Sequence, residues 1–122
     1  MIEMFVCGDV VHRQYQGGPV CDEALADTIA ACDYAVCNFE APIAGFGRPQ
    51  PKSGPHIHQS ADILPMLKSH GFDLLLLANN HMMDYGGEAL NATLEKAGEH
   101  GFDTLGAGME VEAAYRPLVR EF

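Results

Sequence analysis

The residues able to do chemistry gather in four short stretches: Gly8-Asp9, Asn38-Phe39-Glu40, Asn79-Asn80-His81 with Asp84 after it, and Gly106-Ala107-Gly108. Each follows an apolar run. Carboxylate and amide oxygens with an imidazole are donors of the kind that hold Mn, Fe, Zn or Mg. If Asp9 and Glu40 approach to about 4 Å, they repel by several kcal/mol at an effective dielectric of about 20. A shared proton, a basic partner or a divalent cation relieves such a pair. Arg13 is the one cation close in sequence to either acid.

Every one of these residues also has a plainer reading. Asp9 after Gly8 suits a turn or a helix cap. Glu40 before Ala41-Pro42 suits a solvated loop, and Asn79 and Asn80 suit the backbone groups of a turn. Asp84, ahead of Tyr85-Gly86-Gly87, reads as the cap of a helix. His56 and His58 are spaced for a metal on a strand, but their proline-rich surroundings predict an exposed loop. Gly106-Ala107-Gly108 lacks the third glycine of a nucleotide loop. Cys7, five residues and Arg13 match the spacing of a phosphate cradle with a thiolate nucleophile. Against that, Asp9 would repel phosphate, Val10 and Val11 are stiff, and Gln14 stands where a Ser or Thr is usual. What singles out the set is agreement at one place, the carboxyl ends of successive strands.

The elements that must position these residues follow from periodicity. Residues 1–7 form an apolar run, read as a strand. Residues 21–32 put Leu25, Ile29 and Cys32 at helical spacing, with Asp22 and Glu23 at the start. Residues 34–39 are a second strand. Pro42, Pro49, Pro51 and Pro55 make residues 41–59 a long loop. Ser60 can cap a helix running to about residue 70, provided that Pro65 falls near its start. Residues 72–78 hold Leu74 to Leu77 without alternation, so both faces of that strand are covered. Residues 87–100 form another helix. His70-Gly71-Phe72-Asp73 recurs thirty residues later as His100-Gly101-Phe102-Asp103, about the length of one helix-plus-strand unit. In each copy His closes a helix, Gly ends it and Phe enters a strand. A short helix over 111–115 and the start of a fifth strand over 117–122 complete the order. Alternation of this kind predicts an α/β fold, a mostly parallel sheet with helices on both faces and its site at the carboxyl ends of the strands.

Length and charge bound the rest. The chain has 122 residues, 48% of them apolar, enough for one domain over 1–122 with its own core. Seven basic side chains against 17 acidic ones give a net charge of −10, which argues against a nucleic-acid partner. No apolar run approaches the roughly 20 residues of a membrane span. No signal peptide is visible, and four cysteines without a CxxC pair read as free thiols. A cytoplasmic location is therefore expected.

These motifs carry a resemblance. Gly8-Asp9-Val10, Asn38-Phe39-Glu40, Gly71-Phe72-Asp73, Ala78-Asn79-Asn80-His81-Met82-Met83-Asp84-Tyr85-Gly86 and Gly106-Ala107-Gly108, in this order and spacing, resemble the bacterial capsule-synthesis family of CapA-type proteins linked to poly-γ-glutamate. That family looks like a branch of the calcineurin-like metallophosphoesterases. The resemblance implies one or two divalent metal ions at the sheet edge. It implies Asp9, Glu40 and Asn80 as metal ligands, Glu40 as the bridging acid, and His81 as the catalytic residue that meets the substrate anion or leaving group. The strand-one histidine of the broader pattern is absent, because Val11 holds its place and His12 follows one residue late. The chain is expected to be the N-terminal half of such a domain, with a complementing C-terminal half or a second copy as partner. Members of the family can be cell-surface associated. The expected activity is metal-dependent hydrolysis of a phosphoester or a γ-glutamyl amide. A non-catalytic assembly module and a cysteine phosphatase using Cys7 and Arg13 stand as alternatives.

Overall fold

The computed structural model describes residues 1–122. The elements run β1 (Met4–Val10), α1 (Glu23–Ala30), β2 (Tyr34–Phe39), α2 (Ile63–Ser69), β3 (Leu74–Leu76), α3 (Gly86–Glu99), β4 (Asp103–Leu105) and α4 (Val111–Ala114). The four strands form one sheet in the order β1-β2-β3-β4, and every neighbouring pair is parallel. This is the α/β architecture that the alternation of elements predicts.

Local chemistry sets the boundaries. Asp22 caps α1, its Oδ1 accepting from the Leu25 N–H at 2.8 Å. α2 starts late, at Ile63, so Pro65 lies in its first turn, where no intrahelical N–H is missing. The repeated tetrapeptide acts twice in the same way. Gly71 and Gly101 take φ of 95° and 75°, and the Phe72 and Phe102 N–H groups bond back to Leu67 and Ala97 carbonyls.

The core lies on one side of the sheet. Ile29 of α1, Leu64 and Leu67 of α2, and Leu90, Ala92 and Ala97 of α3 pack in one cluster with Ala35, Cys37, Phe39, Leu75 and Leu77. Helices on both faces are not what is found. Each strand is added on the same side of the last, and crossovers of one hand then place α1, α2 and α3 on one face. On the opposite face Tyr34, Val36 and Leu74 are buried against Leu76, Leu105 and Leu118. Met4 and Val6 of β1 remain exposed there.

The fifth strand also does not form. Residues 117–122 are irregular. Pro117 has no N–H to donate to a ladder, and side chains anchor this segment instead. Arg120 pairs with Asp103, which also accepts from Tyr34 Oη at 2.5 Å, and Phe122 meets the Tyr34 ring edge-on. No helix is long and apolar enough to cross a membrane.

The long loop is ordered by its own contacts. Gln59 is fully buried. Its amide donates to the Ala41 carbonyl at 3.1 Å, and its Oε1 accepts from the His12 N–H at 3.1 Å. Ile43 bridges to Gln59, and the Ile43 N–H donates to Thr93 Oγ1 of α3 at 3.0 Å.

Candidate functional site

Asp9 owes its place to an irregularity in β1. The register passes from Val6 opposite Val36 to Asp9 opposite Asn38, one residue more on β1 than on β2. Phe5 and Cys7 pack toward the core before this bulge and Val10 does so after it. Strict alternation would have put Asp9 on the core face with Phe5 and Cys7. The bulge turns it outward instead, and Asn38 Nδ2 donates to Asp9 Oδ1 at 2.7 Å.

Glu40 follows the last residue of β2, and its N–H bonds to the Val10 carbonyl. The Asp9 and Glu40 carboxyls lie close enough to act on one another, which lowers the Asp9 carboxyl below the usual range, helped by Asn38. The same contact raises that of Glu40, with further rises from burial and the Asp9 charge; the His81 ring, close enough to act electrostatically, opposes them. Glu40 Oε2 is buried without a hydrogen-bond partner.

The turn after β3 supplies the imidazole. Asn79 organises that turn: its Oδ1 accepts from the His81 and Met82 N–H groups, and its Nδ2 donates to the Phe39 carbonyl at 3.0 Å and to Asn38 Oδ1 at 3.3 Å. A hydrogen-bonded line thus runs from Asn79 through Asn38 to Asp9. His81 is almost buried and its Nδ1 lies 2.7 Å from Asp84 Oδ2. Asp84 does not cap α3; Tyr85 holds the cap position and caps with no side-chain bond. Asp84 faces inward instead, where Lys52 Nζ and the Ile57 N–H also donate to it. Burial would raise its carboxyl, but the bonds from Lys52, His81 and Ile57 outweigh this and hold it at about 2.

Asp9, Glu40 and His81 therefore come together at the strand tips. Asn80 is exposed, makes no side-chain hydrogen bond, and borders a separate cavity lined by Ala78, Met83 and Gly106. Asn38 and Lys52 are the contributors that motif reading left without a role; Asn79 bonds the backbone groups of its turn as its plainer reading has it. Asn38 and Asn79 lie inside the quoted motifs, whereas nothing in the sequence ties Lys52 to Asp84. His56 and His58 are half-buried rather than exposed, and both rings meet Tyr85 edge-on. The phosphate cradle is not formed: residues 8–10 continue β1, and burial raises the Cys7 thiol.

The model of the bacterial capsule synthesis protein family PGA_cap matches residues 3–122. The chain belongs to this family. It is 32% identical over 120 residues to the PGA biosynthesis protein CapA of Bacillus subtilis (strain 168), an alignment covering 91% of this chain and 31% of that protein. It is 38% identical over 79 residues to the capsule biosynthesis protein CapA of Bacillus anthracis, covering 62% of this chain and 19% of that protein. The chain thus spans under a third of the length of these curated relatives. The PGA_cap match takes in all of the strand-end motifs, so the family read from those residues is the family found.

Proposed function

We propose that this chain carries the strand-end half of a metal-dependent hydrolase centre of the capsule-synthesis type, acting on a phosphoester or a γ-glutamyl amide. The observation that carries the reading is the Asp9–Glu40 pair with its orphaned Glu40 Oε2. A buried oxygen with no donor is costly, and two facing carboxyls hold a proton only until a better cation arrives. These donors fit Mn, Fe, Zn or Mg, with Asp9 and Glu40 as ligands; Asn80, which borders a separate cavity, would join them only by turning away from it.

A bound divalent ion supplies Lewis-acid polarisation of a phosphoryl or acyl oxygen and a more acidic water. The protein's own side chains do the remainder. The bulge aims Asp9 and Asn38 fixes its rotamer. Asn79 holds the turn so that His81 stands beside Glu40. His81 Nε2, the ring nitrogen not bonded to Asp84, meets the anion or leaving group of the substrate.

The test is hydrolysis of an aryl phosphate and of a γ-glutamyl anilide in the presence of manganese. Turnover of either, reduced at least a hundredfold in Glu40→Gln and His81→Ala, supports the reading. Turnover that ignores both changes contradicts it.

A second reading has one observation behind it. Met4 and Val6 expose apolar surface on the outer strand of the sheet, as a module that pairs with another chain would. Light scattering at two concentrations separates the readings: a strict monomer speaks against assembly through β1.

A further inference from the structure

The chain leaves β1 into a groove of about 700 Å³ lined by Val11, His12, Arg13, Gln14 and His58. No acid borders it, in a chain of net charge −10. Buried Gln59 brings its two walls together: Gln59 Oε1 accepts from the His12 N–H at 3.1 Å, which ties the residues after β1 to the long loop beside His58. Each imidazole is braced by a tyrosine. His12 stands edge-on to Tyr15 with 5.2 Å between ring centroids, and His58 edge-on to Tyr85 with 5.3 Å. His58 Nδ1 is buried without a hydrogen-bond partner. His12, Arg13 and Gln14 are exposed, so a ligand reaches them from solvent. Lys52, Lys68, Lys96 and Arg120 all pair with carboxylates, whereas Arg13 makes no ion pair and no side-chain hydrogen bond. Arg13 borders this groove and not the apolar cavity that Cys7 lines.

We infer that the groove is an oxyanion site, in which Arg13 supplies the charge and His12, Gln14 and His58 supply N–H donors to a carboxylate or phosphate group. A guanidinium only donates, in a planar fork that matches either group. An imidazole carries at least one N–H and a glutamine amide two, so every polar side chain here can donate. None of them is a carboxylate that would repel the ligand or neutralise Arg13. A chain of negative net charge repels anions over most of its surface, so a free guanidinium among donors is the exception that binds. The braced rings need little ordering when a ligand arrives, which lowers the cost of binding. A metal cation fits less well, because Arg13 would repel it. The oxyanion site stands without the hydrolase reading. Its use, as a second grip on an anionic substrate whose reacting bond lies at Asp9 and Glu40, rests on that reading.

The experiment titrates inorganic phosphate, and separately glutarate, into the metal-free full chain at constant ionic strength. Nitrogen-15 NMR follows the Arg13 Nε–H and the His12 and His58 rings. Saturable shifts at these side chains are expected with at least one of the two anions. The affinity is expected to fall at least fivefold in Arg13→Gln, and at least twofold in His58→Phe, which keeps a ring beside Tyr85. Arg116→Gln removes the same charge from another exposed position and is expected to bind as wild type does. Phosphate alone held assigns the groove to phosphoesters, glutarate alone to carboxylates, and either result supports the site. Shifts that never saturate, an affinity unchanged in Arg13→Gln or His58→Phe, or an equal loss in Arg116→Gln overturns the inference. If His58→Phe does not fold, the Arg13 and Arg116 variants still decide. Failure of Asp9 and Glu40 to hold a cation moves none of these readouts, so the two ideas fall separately.

Discussion

The Asp9 and Glu40 carboxyls stand close enough at the tips of β1 and β2 to act on each other, and the contact moves their proton affinities in opposite directions. Glu40, raised, contributes stability present at low pH and lost as pH rises through its folded value. Asp9, lowered, contributes stability that is lost as pH falls through its own. As pH rises the metal-free pair loses what relief a proton on Glu40 gives it, and the two charges repel. Glu40→Gln keeps a donor toward Asp9 at every pH. Its metal-free melting temperature is expected to exceed wild type by a few degrees at pH 7, with the gap narrowing on acidification. Thermal melts at several pH values check this.

Asp84 should shape the acid limb of the stability curve. Its carboxyl is held at about 2 against 3.8 for the free group. The contribution is complete above about pH 4 and lost as pH falls toward 2. Asp84→Asn is expected to cost about 2 kcal/mol at pH 7 and about half as much at pH 3. Urea unfolding at the two pH values measures the difference.

Gly47 lets the loop close on the turn that carries Asp84. A Cβ there would sit 2.0 Å from the Tyr85 carbonyl oxygen, and its φ is +69°. Gly47→Ala is expected to destabilise by about 1–3 kcal/mol through strain and displacement. The loss should appear first as faster amide exchange at Arg48 and Gln50, whose N–H groups bond to Tyr85 and Asp84.

Much of this arrangement was legible in the residues. Apolar runs and the doubled His-Gly-Phe-Asp place the strands and helices, because those signals are local. Strand-tip motifs bring Asp9, Glu40 and His81 to one edge, because parallel strands deliver all their carboxyl ends to the same side. The helix layer was misread because strand order is not a local property. Asp84 was misread because a capping aspartate and one that orients a histidine look alike before a Gly-Gly helix start. Lys52 gave no signal, since its partner lies 32 residues away. Asn79 and Asn80 look interchangeable in sequence, yet hydrogen bonds occupy Asn79 and leave Asn80 exposed.

The leucine run offers a check on the fold itself. Leu75 is fully buried in the core cluster that the three long helices share. Leu75→Ala is expected to cost about 3 kcal/mol, read as a lower urea midpoint with an unchanged slope.

Calorimetric titration of manganese into the metal-free chain, beside Asp9→Ala and Glu40→Gln, tests the candidate centre most directly. Saturable binding to wild type, weakened at least tenfold in both variants and weakened by acidification, is the predicted result. Equal heats from all three chains would contradict it.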